Sequence, residues 1–421
     1  AVYTNNPFGG RFRAFNTVPQ RFGFEAHIDR MATMIGLDPL ELRLRNAHKS
    51  GDNIFGLRLG SCGLIDCINR AANLMGWKEK KRAKTPYHGL GMGCMTHPGS
   101  GGRGEFSGAF VKLEDDGMVT VLTGATEIGG GQDTLVAQIA AEVLGTKIEK
   151  VRVVGMDTEV TPIDFGSRAS RSTFMVGNAV KAAAGDARRQ LLQRAAERLE
   201  ARADDLEIKD GMIYVKGASE KTKSIGDILL ASTSPKPAGK GGPYLSHPVY
   251  GRGTFVRDKI TTRVAAFAAQ AVEVEVDPST GAIKILKFIA AHDVGRAINL
   301  LGTEGQIEGG VSQGIGYGLT EELQREGGKN INGNLMDYKL PCAADMPPVE
   351  ACIIESDEPE GPFGAKGIGE PPSVPTAPSI ANAVYDAIGI MIKELPITPE
   401  KVLNALKEKE RSKTLPPPSA P

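Results

Sequence analysis

Residues 360–379 read EGPFGAKGIGEPPSVPTAPS, too rich in glycine and proline for a regular element, and residues 380–392, IANAVYDAIGIMI, then keep helical apolar spacing. A long loop feeding a helix is a favoured place for chemistry, because it mounts reactive side chains on a rigid support. The arrangement recurs upstream. Residues 117–127, GMVTVLTGATE, alternate like a strand, Gly129, Gly130 and Gly131 follow, and Leu135, Ile139 and Val143 then keep a helical period. Residues 151–157, VRVVGMD, read as another strand, 164–173, DFGSRASRST, as a loop, and Met175 to Glu200 as a long alanine-rich helix. At the start, the glycine-arginine loop of residues 4–16, TNNPFGGRFRAFN, precedes a helix patterned on Ile28, Met31, Ala32 and Ile35. Asp38, Pro39 and Glu41 read as N-cap, N1 and N3 of a second helix.

Further along, residues 271–293 contain two alternating strands around the turn formers Asp277 to Gly281, which is hairpin chemistry, and residues 303–319 form a helix. Residues 201–250 read as a lower-order connection with short strands, and the charged, proline-rich end KEKERSKTLPPPSAP as a disordered tail. Glycine loops that open helices bring backbone N–H groups and the helix dipole to one place, which suits a phosphate-bearing cofactor held by many loops.

At 421 residues the chain predicts two subdomains. Lys plus Arg and Asp plus Glu are equal at 50 each, so no overall field draws nucleic acid or an anionic membrane. No apolar run is long enough for membrane insertion, and the N-terminus lacks the layout of an export signal. The five cysteines form no closely spaced ladder for zinc or iron–sulfur and read as reduced thiols of a cytoplasmic protein. The six histidines, His27, His48, His88, His97, His247 and His292, show no metal-ligand spacing and read as structural.

The ordered series GATEIGGGQDT (124–134), GSRASRST (166–173), DVGRAIN (293–299), GQIEGGVSQGIG (305–316), NLMDYKLP (334–341) and GAKGIGEPP (364–372) resembles the motif series of the molybdenum subunits of the xanthine dehydrogenase and aldehyde oxidase family. GRFRAFNTVPQ (10–20) is similar to that family's Arg-Gly-Phe-Gly loop. The resemblance spans nearly the whole chain and implies an α+β fold of two mixed α/β subdomains. The expected division is an N-terminal loop and helical segment over 1–85, cofactor-binding subdomains over 86–250 and 251–408, and a tail over 409–421.

The resemblance also implies roles. Glu370 stands where the family keeps the carboxylate beside molybdenum, and a partly desolvated carboxylate can act as a base near neutral pH. The plain alternative is an exposed Glu at a Pro-Pro turn. Arg13 and Phe15 match the loop in which an Arg approaches the reacting centre and an aromatic ring packs on substrate, although Ala14 and Asn16 replace glycines there. Gly130 stands at the family's usual Gln position, so Gly129, Gly130, Gly131 and Gln132 contact the cofactor through backbone or through Gln132. Ala169, Ser170 and Ser172 match a segment passing the pterin, or serve as N-caps. Gln306 and Gln313 match pterin amide contacts. Lys366 and Gly367 shape the loop before the base. Arg103, in the GSGGRGEFSG loop, would favour an anionic substrate.

The implied cofactor is a molybdenum-pyranopterin, in the cytosine dinucleotide form, with no direct metal ligand from the protein. The implied partners are the N-terminal half of the molybdenum subunit, an iron–sulfur subunit with 2Fe-2S clusters, an FAD subunit and a small-molecule substrate. Hydroxylation of an sp2 carbon of a heteroaromatic or aldehyde-type substrate with water as oxygen source is the implied reaction. A reductive dehydroxylation of an aromatic acyl thioester and a non-catalytic structural subunit are the alternatives.

Overall fold

In the chain's computed structural model, the described residues are 3, 10–54, 56–99, 101–233, 248–258 and 260–414. Along them run helices α1 (Thr17–Met34), α2 (Pro39–Asn46) and α3 (Leu64–Met75), strands β1 (His88–Pro98), β2 (Phe106–Leu113) and β3 (Val119–Thr123), and helix α4 (Gln132–Leu144). Strand β4 (Val151–Val154), helix α5 (Ser172–Leu199) and strands β5 (Val249–Val256), β6 (Ala265–Val276) and β7 (Ile283–Asp293) follow. Helix α6 (Leu300–Leu319), strand β8 (Val349–Ile354) and helices α7 (Thr376–Ile388) and α8 (Pro399–Thr414) complete the main elements.

Two four-stranded sheets organise these elements, and the α+β expectation holds. In the first, β5, β2 and β3 are successive antiparallel neighbours and β4 joins β3 in parallel. Alternate valines such as Val111 and Val121 point to one side, where α4 and α5 bury Ile139, Val176, Val180 and Leu191 against them. In the second, β6 lies antiparallel between β1 and β7, and β8 pairs with β7 in parallel. The expected hairpin is β6–β7: Asp277 accepts from Ser279 N at 2.8 Å and Thr280 Oγ1 at 2.9 Å. Helix α3 covers one face with Ile68 and Met75, each side chain stabilising by about 1.5–3 kcal/mol through burial. Helices α6 and α7 cover the other.

Both sheets let a helix approach to backbone contact. Gly89, Gly91 and Gly93 alternate along β1, and a Cβ at any of them would overlap the backbone of α7 or of Pro375 just before it. Gly251 and Gly253 do the same in β5 beneath the backbone of α5 at Ala179, Ala183 and Ala187. The units are interleaved along the chain. Strand β1 pairs with β6 and β5 with β2, so the chain passes from one sheet to the other between residues 98 and 106 and back between 256 and 265.

Several local expectations change. Helix α1 buries Glu25 and Asp29 and exposes Met31, Met34 and Ile35, because Arg43 of α2 is buried between the two carboxylates, 2.8 Å from Glu25 and 2.6 Å from Asp29. Helix α2 is capped as read, Asp38 Oδ1 accepting from Leu40 N at 2.7 Å. Helix α7 starts inside the stretch expected to be irregular, since Pro378 is its third residue, where no intrahelical acceptor awaits an N–H. It stops at left-handed Gly389, leaving residues 390–392 outside. Residues 409–414, expected in the tail, continue α8; residues 415–421 lie outside the described residues. Within 201–250, Leu206–Lys209, Met212–Val215 and Ala218–Ser224 form a three-stranded sheet. His247 and residues 4–9 also lie outside the described residues. Among the described residues no helix is long and apolar enough to cross a membrane.

Candidate active site

A cavity of about 640 Å³ opens where the loop before α1, the glycine loop before α4, the loop before α5, the start of α6 and the loop of residues 366–370 converge. Glu370 lies in its wall, and its carboxylate collects three donors. His97 Nε2 stands 2.9 Å from Oε2, Ser170 Oγ donates to the same oxygen at 3.0 Å, and the Ala14 N–H also helps to hold the carboxylate charge. Ser170 Oγ also accepts the N–H of Glu370 at 2.9 Å. Burial raises the Glu370 pKa, but the His97 contact and the two other donors outweigh it and hold the carboxyl below its ordinary value. Interactions with the charged form thus outweigh desolvation at this partly buried carboxyl.

Unusual backbone delivers these donors. Ala14 (φ 70°), Phe15 (φ 55°), Ala169 (φ 49°) and Ser170 (φ 52°) are all left-handed, at roughly 1–2 kcal/mol each for a residue with a Cβ. Ala14 thus adopts the conformation a glycine would take in the loop it resembles. Arg171, fully buried, secures the second segment through Asp164 at 2.6 Å and the Phe106 carbonyl at 2.8 Å. A Cβ at Gly367 would overlap the Ser170 carbonyl, so the two loops touch through backbone.

Arg13 reaches the centre of the wall. Its Nε donates to the Gly369 carbonyl, Nη1 to Gln313 Oε1 at 3.1 Å and Nη2 to Gln306 Oε1 at 3.0 Å. Burial pulls the guanidinium down to about 10 while Glu370 supports its charge, so it stays protonated at neutral pH. Both glutamine oxygens are thereby used on Arg13, and Gln306 Nε2 lies 3.4 Å from the Gly129 carbonyl, where the sequence suggested amides facing a pterin.

The glycine loop also differs from expectation. Glu127 accepts from Gly129 N at 2.8 Å, Gly131 N at 3.1 Å and Asp133 N at 3.3 Å, so an internal carboxylate occupies the N–H cluster at the start of α4. Gly129, Gly130, Gly131 and Gln132 still line the cavity. Gln132 folds beneath Gly130, and its Oε1 is buried without a hydrogen-bond partner among the described residues.

Phe15, Ala169, Ser170, Ser172, Gln306 and Gln313 all line the cavity, and the Arg11 guanidinium sits 5.2 Å from the Phe15 ring centroid. Lys366 and Gly367 line it too, but the Lys366 ammonium turns into the core, 2.7 Å from Asp293 Oδ2, so its charge is used internally. Arg103 does not join the cluster; it is exposed on the turn of residues 102–105, whose chain direction is set by the Glu105 N–H bond to the Gly102 carbonyl. The sequence reading missed His97 as a partner of Glu370, and it missed Arg11, Arg168, Arg296 and Asn299 in the wall. For the arginines the signal was present in FGGRFR, GSRAS and DVGRAIN; for His97, 273 residues from Glu370, no local signal existed.

A second polar layer braces the wall. Gln270 donates to the Pro372 carbonyl at 2.8 Å and accepts from Thr376 Oγ1 at 2.7 Å, while its Nε2 lies 3.1 Å from His292 Nε2. His292 is pushed down to about 3 by burial and then by Arg13, so it is neutral and accepts.

The chemistry of this cavity fits a phosphorylated pterin. Arginines at its wall match phosphate charge, the unpartnered Gln132 oxygen offers an acceptor to a pterin amine, and its volume admits a group of that size. Among the described residues no three His, Cys, Asp or Glu side chains gather as candidate metal ligands.

The profile of the molybdopterin cofactor-binding domain matches residues 70–347, and a second profile of that description matches 1–47. The xanthine dehydrogenase molybdenum-binding subunit of Escherichia coli O157:H7 is 34% identical over 416 residues, covering 95% of this chain and 54% of that protein. The 6-hydroxypseudooxynicotine dehydrogenase complex subunit gamma of Paenarthrobacter nicotinovorans is 34% identical over 424 residues, covering 96% and 52%. The solved structure of quinoline 2-oxidoreductase from Pseudomonas putida 86 superposes with a TM-score of 0.83 at 29% identity, covering 94% of this chain and 53% of that one. The chain spans about half the length of these relatives. On its sequence, its fold and the loops that build its cavity, the chain belongs to the molybdopterin cofactor-binding family of xanthine-dehydrogenase-type proteins.

Proposed function

We propose that this chain supplies the base and part of the cofactor wall of a multi-subunit molybdenum hydroxylase that oxidises an sp2 carbon of a heteroaromatic or aldehyde-type substrate, with water as oxygen source. The observation that carries the reading is the ionised Glu370 carboxylate, fixed by three donors at the wall of a cavity rich in arginine and amide groups. When bound, a molybdenum-pyranopterin group, in its cytosine dinucleotide form, supplies oxygen-transfer and two-electron chemistry. Ser172, Gln132 and the backbone of residues 130 and 367 would hold it, with Arg296 and Asn299 at the start of α6 lining the same cavity.

Glu370 takes up the proton released as the new carbon–oxygen bond forms, held in place by the two side-chain donors on Oε2. Arg13, charged and tied to Gly369, Gln306 and Gln313, balances the carboxylate and stabilises negative charge developing beside it. Phe15 offers a flat apolar face to a planar substrate. The N-terminal half of the molybdenum subunit would close the cavity, and 2Fe-2S and FAD subunits would take the electrons onward in the cytoplasm.

Glu370→Gln keeps the shape and removes the basicity. In the assembled complex kcat/KM should fall by about 10²–10⁴-fold while molybdenum per chain stays unchanged; a surviving rate would show that Glu370 is not the base.

A further inference from the structure

Of the side chains around it, His97 is the one that the Glu370 carboxylate meets most closely. His97 lies at the end of β1, the strand whose glycines seat α7, and only 4% of it is exposed. Its Nε2 is 2.9 Å from Glu370 Oε2, while Nδ1 is buried without a hydrogen-bond partner among the described residues. A ring filling space in a core would be better served by an apolar residue, since a buried nitrogen without a partner costs about 1–3 kcal/mol. That cost is tolerated here beside one carboxylate. The paired residue on β6 is Ala266, so no charge faces the ring from that strand. The charged groups on the elements packed around the pair are Arg13 from the loop before α1, Lys366 with Asp293 at the base of the 366–370 loop, and Arg168 with Glu105 beside Ser170.

We infer that His97 is the positioning residue of Glu370: its Nε2–H holds Oε2 and fixes the orientation of the carboxylate in the cavity wall. The inference rests on Glu370 being the base. Ser170 shares Oε2 but also bonds the Glu370 N–H, so it orients the residue as a whole, whereas His97 touches the carboxylate alone.

The test is the pH dependence of kcat/KM of the assembled enzyme with His97→Phe, which removes the donor, and His97→Gln, which keeps an N–H at nearly the same reach. Losing the donor raises the carboxyl pKa, so the acid limb should move up by about 1–3 pH units in His97→Phe and return most of the way in His97→Gln. A limb unmoved in His97→Phe overturns the inference. Infrared titration of the same complex reads the pair without turnover. The protonated-carboxyl band that Glu370→Gln lacks should emerge at higher pH in His97→Phe than in the unsubstituted enzyme, and an unchanged midpoint refutes the positioning role. Should His97→Phe fail to assemble, His97→Asn, too short to span 2.9 Å from the same backbone, gives the same comparison. Turnover surviving in Glu370→Gln would sink the base assignment, while the infrared midpoint still decides whether His97 controls the carboxyl.

Discussion

Replacing Arg171 by methionine measures what one buried cation does for the loop that presents Ala169 and Ser170. The Arg171 side chain is completely buried, with Nη1 2.6 Å from Asp164 Oδ1 and 3.2 Å from the Gly166 carbonyl, and Nη2 2.8 Å from both the Phe106 carbonyl and Ser107 Oγ. Its Nε lies 2.9 Å from Glu105 Oε2, an ionic contact that lacks hydrogen-bond alignment. Methionine fills most of the volume but leaves the Asp164 carboxylate, 1% exposed, with Ser107 Oγ and the Gly166 N–H as its remaining partners among the described residues. Breaking a buried pair from one side costs about 3–5 kcal/mol. At roughly 2 °C per kcal/mol for a chain of this size, the melting temperature of the purified complex should drop by about 6–10 °C in calorimetry. Arg171→Met with Asp164→Asn removes the stranded charge and should regain at least half of the loss. A single variant within about 2 °C of the unsubstituted protein, or a double variant no better than the single, would refute the reasoning.

Two further outcomes follow from contacts away from the base. Gly91→Ala drives a methyl into the Ser379 carbonyl and the Ala383 amide of α7, so chemical denaturation should show a loss of about 1–3 kcal/mol; undiminished stability would mean the helix can slide off the strand. At Glu127, burial opposes ionisation, but the amides of Asp133, Gly131, Gly129 and Gln132 outweigh it and hold the carboxyl below its ordinary value. Its contribution is therefore present above the ordinary Glu pKa of about 4.3 and lost as pH falls through the lowered one. Hydrogen exchange at residues 129–133 should accelerate, beyond the intrinsic rate, on acidification below about pH 4.3 in the unsubstituted chain. Glu127→Gln should abolish that dependence, and an identical acid response in both proteins would contradict the assignment.

Local chemistry was legible in the sequence wherever the deciding contact lay within a few residues. Asp38 caps α2 through Leu40, Asp277 closes the β6–β7 turn through Ser279 and Thr280, and the alternation of 117–127 delivers β3. Glu370, Arg13, Phe15, Ser170 and Ser172 line one cavity, a grouping that only the resemblance suggested, because their spacing along the chain does not bring them together. What escaped was decided by long-range pairing. Lys366 reads as a loop cation until Asp293 takes its charge, and Met31 reads as a core residue until Arg43 draws Glu25 and Asp29 inward. The glycine loop reads as an open anion site until Glu127 fills it from two residues before Gly129. Arg103 shows the converse: a cation in a glycine-rich segment suggested a substrate contact, and the turn carries it to solvent.

The glycines of β1 bear on tolerance as much as on packing. His97 is the penultimate residue of the strand that carries Gly89, Gly91 and Gly93, and Glu370 precedes by six residues the helix lying on them. Strand and helix meet main chain to main chain, so the path from imidazole to carboxylate runs through peptide groups and crosses no layer of long side chains that could swap rotamers. The spacing of the pair is then gauged by bond lengths and van der Waals radii, much as a machinist sets a gap with a solid block instead of a spring. Substitutions elsewhere in the apolar interior can alter how firmly the chain folds while leaving that gap at its original width.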